Sequence, residues 1–238
     1  FPAKYRLGAS ATIERQDGMD QVFKLHLGGS HLKGAGAKRM TPKVILLKYS
    51  GKPSGVPSTL SSMQRRGLIL SKISSDEQRN QMLAKWVVSF YKSGRRTVVL
   101  SERTSQLVRL REILTNMLKI PGSDVGFYCR SISGVDWNGK KFSKTRTKQQ
   151  NELVAKNCKV LLATYQYMGI GTDIQDLAGL VYATPQSSST QTKGRIERYI
   201  QGKKTPVIVD PVDMAYRDAI GWAKKRQKQY ATDGMTVK

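Results

Sequence analysis

Acidic residues are scarce in this sequence. Its 238 residues carry 17 Asp plus Glu against 41 Lys plus Arg, a net charge of +24. Self-repulsion of that size works against a compact fold, and it points to a polyanionic partner. Nucleic acid is the first candidate and an anionic membrane surface the second. Long apolar runs are missing as well. No stretch of 18 apolar residues exists, so no segment of the sequence reads as spanning a bilayer. No secretory signal is visible, which leads us to expect a cytoplasmic location. The first residues are Phe1-Pro2 rather than Met, so the chain reads as a fragment of a longer protein. Cysteine and histidine are nearly absent. Cys129 and Cys158 form no CxxC pair, and only His26 and His31 stand beside them as metal ligands. That composition speaks against a zinc site and for buried or incidental thiols in a reducing compartment. The apolar residues, at 39%, suffice for a core.

An alternation of strands and helices remains. Residues 4–12 read as a short strand running into a loop, and 20–29 as a short element ending at a glycine pair. Residues 30–62 are rich in Gly, Ser, Pro and Lys and read as a connection between two domains, interrupted by strand-like 42–50. A helix is expected over 74–94. There Ser74 and Glu77 fit a capping box, and Met82, Leu83, Trp86, Val87 and Phe90 recur at helical spacing before Gly94. A buried strand follows at 96–101, then an amphipathic helix over 104–118 and a strand over 124–129. Residues 133–148 are polar and basic and read as an exposed loop. A helix over 147–157, strands at 159–164, 179–184 and 205–210, and a basic helix over 213–231 complete the order. Apolar runs of four to six residues between helices predict an α/β fold, a parallel sheet covered on both faces. In such folds the site lies at the carboxyl ends of the strands. That rule singles out Ser101-Glu102-Arg103, Thr164 with the loop after it, and Thr184-Pro185 with the segment beyond.

Three stretches stand out on this frame. LGASATIERQDG (7–18) contains Ser10-Ala11-Thr12. VLLATYQYMGIGTDIQDL (160–177) contains Thr164, Gly171 and Asp173. QTKGRIER (191–198) fits the pattern Q-x-x-G-R-x-x-R. In this order they resemble motifs III, V and VI of the superfamily 2 helicases, and RTVVLSERTSQL (96–107) sits where that family has motif IV. The similarity is closest to the branch of phage and repair DNA helicases. Ile170 and Ile13 depart from that branch, which usually has an acidic residue and a proline there.

The resemblance implies two RecA-like lobes, each a parallel sheet flanked by helices, with ATP and Mg2+ between them. Residues 1–30 would then be the trailing edge of the first lobe, 31–62 the inter-lobe connection and 63–238 the second lobe. The first lobe's phosphate loop and its acidic Mg2+ box are absent from the chain, so the chain alone is expected not to hydrolyse ATP. The resemblance assigns Arg195 and Arg198 to the γ-phosphate, with Arg198 as an arginine finger and Gln191 beside them in the catalytic set. A guanidinium fork fits phosphate oxygens and stays charged at any pH. Three residues apart on a helix, both arginines would face one side, and Gly194 would let the segment pass close to its neighbour. The alternative is an exposed basic helix face. Gly171 and Asp173 join the nucleotide-binding set, although Asp173 also reads as a helix N-cap or turn residue. Thr164 would contact a nucleic-acid phosphate, and Ser10 and Thr12 would couple ATP state to strand movement.

The basic excess has a ready use. Ser101, Arg103, Lys140 and Lys141 are expected to track the backbone of DNA, with Trp137 and Phe142 either stacking on bases or anchoring a solvated loop. Lys224, Lys225, Arg226 and Lys228 either line the path or solubilise the last helix. The function expected by resemblance is an ATP-dependent DNA helicase or translocase working in repair, replication or recombination, in a phage or bacterial setting. The rivals are a duplex translocase of the fork-remodelling or restriction kind, a non-catalytic basic nucleic-acid-binding module, and RNA in place of DNA.

Overall fold

Burial with a period of two runs through the strands. In β2 (Thr97–Ser101) every residue is buried. Val98 and Leu100 join one core cluster while Val99 joins the other, because successive side chains of a strand point to opposite faces. The computed structural model describes residues 20–28, 38–51, 55–135, 139–170, 174, 176–186 and 194–238. The chain divides into two compact units, 1–37 and 38–238. The first contains the helix α1 (Asp20–Leu27), where the sequence suggests only a short element. Residues 4–12, read as a strand, lie outside the described residues.

The second unit is built on seven strands in the order β3-β6-β2-β7-β8-β1-β9. They are β1 (Lys43–Tyr49), β2, β3 (Val125–Tyr128), β6 (Val160–Thr164), β7 (Gly179–Tyr182), β8 (Val207–Asp213) and β9 (Thr236–Val237), and every described pairing in this sheet is parallel. Helices α3 (Glu77–Lys92) and α4 (Thr104–Glu112) cover one face through Leu83, Val87, Phe90, Leu107 and Leu110. On the other face, α5 (Lys148–Asn157), α6 (Tyr165–Ile170) and α7 (Arg217–Thr232) contribute Ala155, Met168 and Tyr230. Each such Leu, Val or Phe contributes about 1.5–3 kcal/mol on full burial. The expected α/β sheet covered on both faces is what the chain forms.

Several elements differ from the sequence reading. Residues 43–49, inside the stretch read as a connection, form an inner strand of the sheet, with Lys43↔Val207 through Tyr49↔Asp213 in register against β8. A helix the sequence did not suggest, α2 (Ser62–Ser75), precedes α3, and Ser61 caps it with Gln64 in a full capping box. Ser74 therefore sits inside α2 and caps nothing. Asp76 caps α3, accepting from the backbone N–H of Arg79. The helix expected to run to 118 turns into a π-helical turn at Ile113–Met117, where the Leu118 N–H reaches back to the Ile113 carbonyl. Strand β8 runs on to Asp213 through Pro211, beyond its predicted end. Val207 directs its N–H toward the β7 side, and Pro211, four residues on, has the same orientation. The ladder with β7 stops at Val209, so the missing proline donor leaves no gap. Residues 133–148 are no simple loop. They supply most of the hairpin β4 (Ser131–Val135) and β5 (Lys141–Thr145). Ile132 and Phe142 pack with Val108 of α4. At Gly134 an added Cβ would lie 3.1 Å from the Val108 side chain, so a small residue is what fits there.

Candidate site at the carboxyl rim of the sheet

The parallel register brings the predicted strand ends together. Ser101 pairs with Thr164, and Leu100 with Tyr182. Past these positions the rim is tied by hydrogen bonds. The Glu102 N–H donates to the Thr184 hydroxyl at 2.8 Å, and the Tyr165 hydroxyl donates to the Thr184 carbonyl at 2.5 Å. The Arg66 guanidinium of α2 grips both Glu102 oxygens, and this contact raises the arginine's pKa. Arg103 donates to the Gly67 carbonyl at 2.9 Å. Helix α2 is thereby fastened to the ends of β2 and β7. Thr164 is half-buried at the end of β6.

Ser101 does not fit the expected contact with nucleic acid. It is fully buried, and its hydroxyl donates to Gln106 at 2.7 Å while accepting from the Arg103 N–H at 2.9 Å. It shapes the turn from β2 into α4. Arg103 is half-buried at the N-cap of α4 and keeps a place on the rim.

The arginine segment has a different geometry from the one its spacing suggests. Residues 194–196 are helical, but Arg198 lies in an isolated antiparallel bridge with Arg39. Helical spacing therefore does not relate Arg195 to Arg198. Ile196 is the anchor, fully buried in the core on the face that α5, α6 and α7 cover. Glu197 is 7% exposed and turned toward Arg39 at 3.7 Å. The backbone of 38–40 holds the segment from one side, through Met40 N–H to the Glu197 carbonyl and Tyr199 N–H to the Lys38 carbonyl. Lys203 donates to the Ile196 and Arg198 carbonyls, both at 2.8 Å, and burial lowers its pKa. Arg195 is half-buried and Arg198 exposed. Gly194 is not a point of close approach: an added Cβ would meet nothing within 4 Å among the described residues.

Lys140 and Lys141 are exposed at the start of β5. Phe142 is half-buried against Cys129 and Ile132, which is the anchoring role rather than the stacking one. Lys224, Lys225 and Lys228 are exposed. Arg226 is fully buried and neither lines a path nor solubilises the helix. It forms a bidentate pair with Asp210, both bonds at 2.8 Å. Ser10, Thr12, Trp137, Gly171, Asp173 and Gln191 lie outside the described residues. Sequence reasoning placed Glu102 at the rim but missed Arg66 as its partner. The Glu102 position after a buried strand was the available signal, but nothing in the sequence pairs it with Arg66, 36 residues earlier.

No protein-family model matches the chain. A protein of Acanthamoeba polyphaga mimivirus named as an ATP-dependent RNA helicase is 25% identical over 224 residues. A protein of Escherichia phage T5 named as a helicase is 22% identical over 237 residues. The chain covers 89% and 98% of itself in these matches but only 39% and 48% of the relatives' lengths. The crystal structure of UvsW from phage T4 superimposes on 83% of this chain with a TM-score of 0.53 and 16% identity, using 40% of its own length. The chain is thus similar in sequence to two proteins named as helicases and shares its fold with part of UvsW. Among the described residues, no helix is long and apolar enough to cross a membrane.

Proposed function

We propose that the chain supplies the second motor lobe of an ATP-dependent DNA helicase or translocase, with residues 1–30 belonging to the end of a first lobe. The observation that carries this reading is the meeting of Arg103, Thr164 and Thr184 at one end of a parallel sheet, with Ile196 anchoring the Arg195–Arg198 segment in the core on the face that α5, α6 and α7 cover. The donor set suits an anionic ligand. Two guanidiniums lie within four residues, and the intervening carboxylate of Glu197 is buried and turned toward Arg39. In this reading Arg195 and Arg198 act on the γ-phosphate of ATP, with Arg198 as the finger and Gln191, Gly171 and Asp173 completing the set. Mg2+ would be held mainly by acidic residues of the first lobe. ATP supplies the free energy that opens and closes the cleft. Thr164 and Arg103 hold nucleic-acid phosphates during that cycle, Lys140 and Lys141 add charge from the hairpin, and Ser10 and Thr12 couple the lobes. Phosphate contacts carry little sequence information, so binding is expected to be sequence-tolerant.

RNA is the second reading, favoured by the name of the mimivirus relative. The SAT…ER-DG pattern of residues 10–18 favours DNA by resemblance. A binding titration tests the reading. The chain should bind DNA with an affinity that falls steeply with salt, and Thr164→Val should weaken that binding with the fold unchanged. A flat dependence of log K on log salt contradicts a phosphate-tracking rim. A Thr164→Val variant with unaltered affinity would make Thr164 a structural strand-end residue.

A further inference from the structure

A parallel sheet has two ends, and Arg103, Thr164 and Thr184 lie at one. At the other end the strand starts are stitched into a row by backbone bonds. Lys159 N–H donates to the Asp124 carbonyl, Thr97 to Lys159, Ala178 to Arg96, Val207 to Ala178 and Lys43 to Pro206, all at 2.9–3.0 Å. The row spans β3 to β1, which is roughly 24 Å at a strand spacing of ~4.8 Å. We propose that this amino-terminal edge is a second nucleic-acid surface, one that takes the phosphate backbone of a strand on the side of the sheet away from the rim.

Its charge carries the inference. Lys43, Lys159 and Arg95 enter strands here, Lys92 ends α3, and Lys119 precedes β3 in a left-handed conformation with φ 57°. Lys43, Lys92, Lys119 and Lys159 are exposed. Helix C-termini also gather at this edge, and basic residues suit them. Arg96 is spent in that way. Its guanidinium donates to the Ala155 and Cys158 carbonyls at the end of α5 and pairs with Asp176. Lys204 likewise donates to the Ser93 carbonyl. That explanation accounts for part of the charge only. Four helix ends at about half a charge each, with Glu112, Asp124, Asp176 and Asp233, offset about six positive charges. Residues 92–96, 111–119, 156–159 and 203–204 together with Lys43 supply ten Lys and Arg. The surplus cations form a row as long as about seven phosphates of one strand at ~3.4 Å each.

Apolar chemistry favours nucleic acid over an acidic protein. A protein interface needs an apolar centre, yet Met117, Tyr199 and Val237, the exposed large apolar side chains near this edge, are scattered over separate segments. A phosphate backbone needs cations alone. The inference does not depend on the motor reading. If that reading holds, the lobe can grip one stretch of backbone at its rim and a second at its far edge.

Lysine acetylation of the full chain, with and without a saturating mixed-sequence DNA strand of about 20 nucleotides, tests the proposal without any variant. Lys43, Lys92 and Lys119 should react at least about fivefold more slowly with DNA bound, while Lys85 on the mid-face of α3 keeps its rate within about twofold. A charge-matched pair of triple variants adds an independent reading. Lys43→Glu/Lys92→Glu/Lys119→Glu should lower the log K against log salt slope by about two. Lys72→Glu/Lys85→Glu/Lys225→Glu, with the same net charge, should leave the slope nearly unchanged. Unprotected edge lysines, or equal losses in the two triples, overturn the proposal. Protection of Lys140 and Lys141 without the edge lysines leaves the rim reading standing and removes this one. The opposite pattern keeps the edge and removes the hairpin contacts.

Discussion

Two aspartates three residues apart on β8 hold the lobe together from opposite faces. Asp213 takes Arg79 in a pair with bonds of 2.6 and 3.0 Å, and Asp210 takes Arg226 and the Tyr230 hydroxyl. All four charged side chains are at most 3% exposed. Removing one partner of such a pair leaves an uncompensated buried charge. We therefore expect Arg226→Met to cost about 3–5 kcal/mol in a urea melt, and Asp210→Leu/Arg226→Met to recover part of that. A single variant within about 0.5 kcal/mol of wild type would contradict the pairing. The sequence places Arg226 among solvated lysines, although the signal was present: Ala219, Ala223, Arg226 and Tyr230 share the helical spacing of a buried face. Their type hid what their period revealed. The thiols behaved as composition suggests. Cys129 is fully buried and free, and burial pushes its pKa up to about 11. At pH 8 it should resist a thiol reagent until the chain is unfolded. Fast labelling of Cys129 in the native protein would mean that the hairpin opens readily.

The start of α3 shows how one side chain serves two elements. Asp76 caps the helix and also accepts from the Tyr49 hydroxyl at 2.8 and 2.9 Å, which ties α3 to β1. Burial, with Asp76 beside it, raises the Tyr49 pKa to about 12. A raised folded-state pKa stabilises the fold below the ordinary tyrosine value near 10, and that contribution is lost as pH rises through 12. Asp76→Asn keeps a capping oxygen and removes the charge. Ultraviolet titration should show the Tyr49 pKa moving down toward 10, with little loss of helix. No movement would mean that burial alone sets it. The same region marks a limit of sequence reading. Ser74 and Glu77 have the spacing of a capping box, but a whole unrecognised helix, α2, occupies 62–75. Its polar composition gave a weak periodic signal beside that of α3. The central strands were legible because each is a short apolar run. The hairpin was not, because Ser, Lys and Gly alternate there with only Ile132 and Phe142 turned inward.

For the molecule as a whole, the excess of positive charge and the parallel sheet argue for the same kind of partner. The rim and the opposite edge are both consequences of one topology, in which all strands begin at one end and finish at the other. The fold class and the rim positions Arg103 and Thr164 could be read from the order of elements. The bridge that removes Arg198 from a helix could not, since it depends on Arg39, far away in sequence. The account stands or falls on that arginine. In the full-length protein, steady-state ATP hydrolysis with saturating DNA should fall at least a hundredfold in Arg198→Ala, about 2.7 kcal/mol of barrier. ATP and DNA binding should stay largely intact, because a finger acts on the transition state more than on the ground state. Arg198→Lys should rescue little, since an ammonium lacks the planar fork. A rate within about threefold of wild type, roughly 0.7 kcal/mol, would contradict the assignment and leave the segment a basic turn held against Arg39.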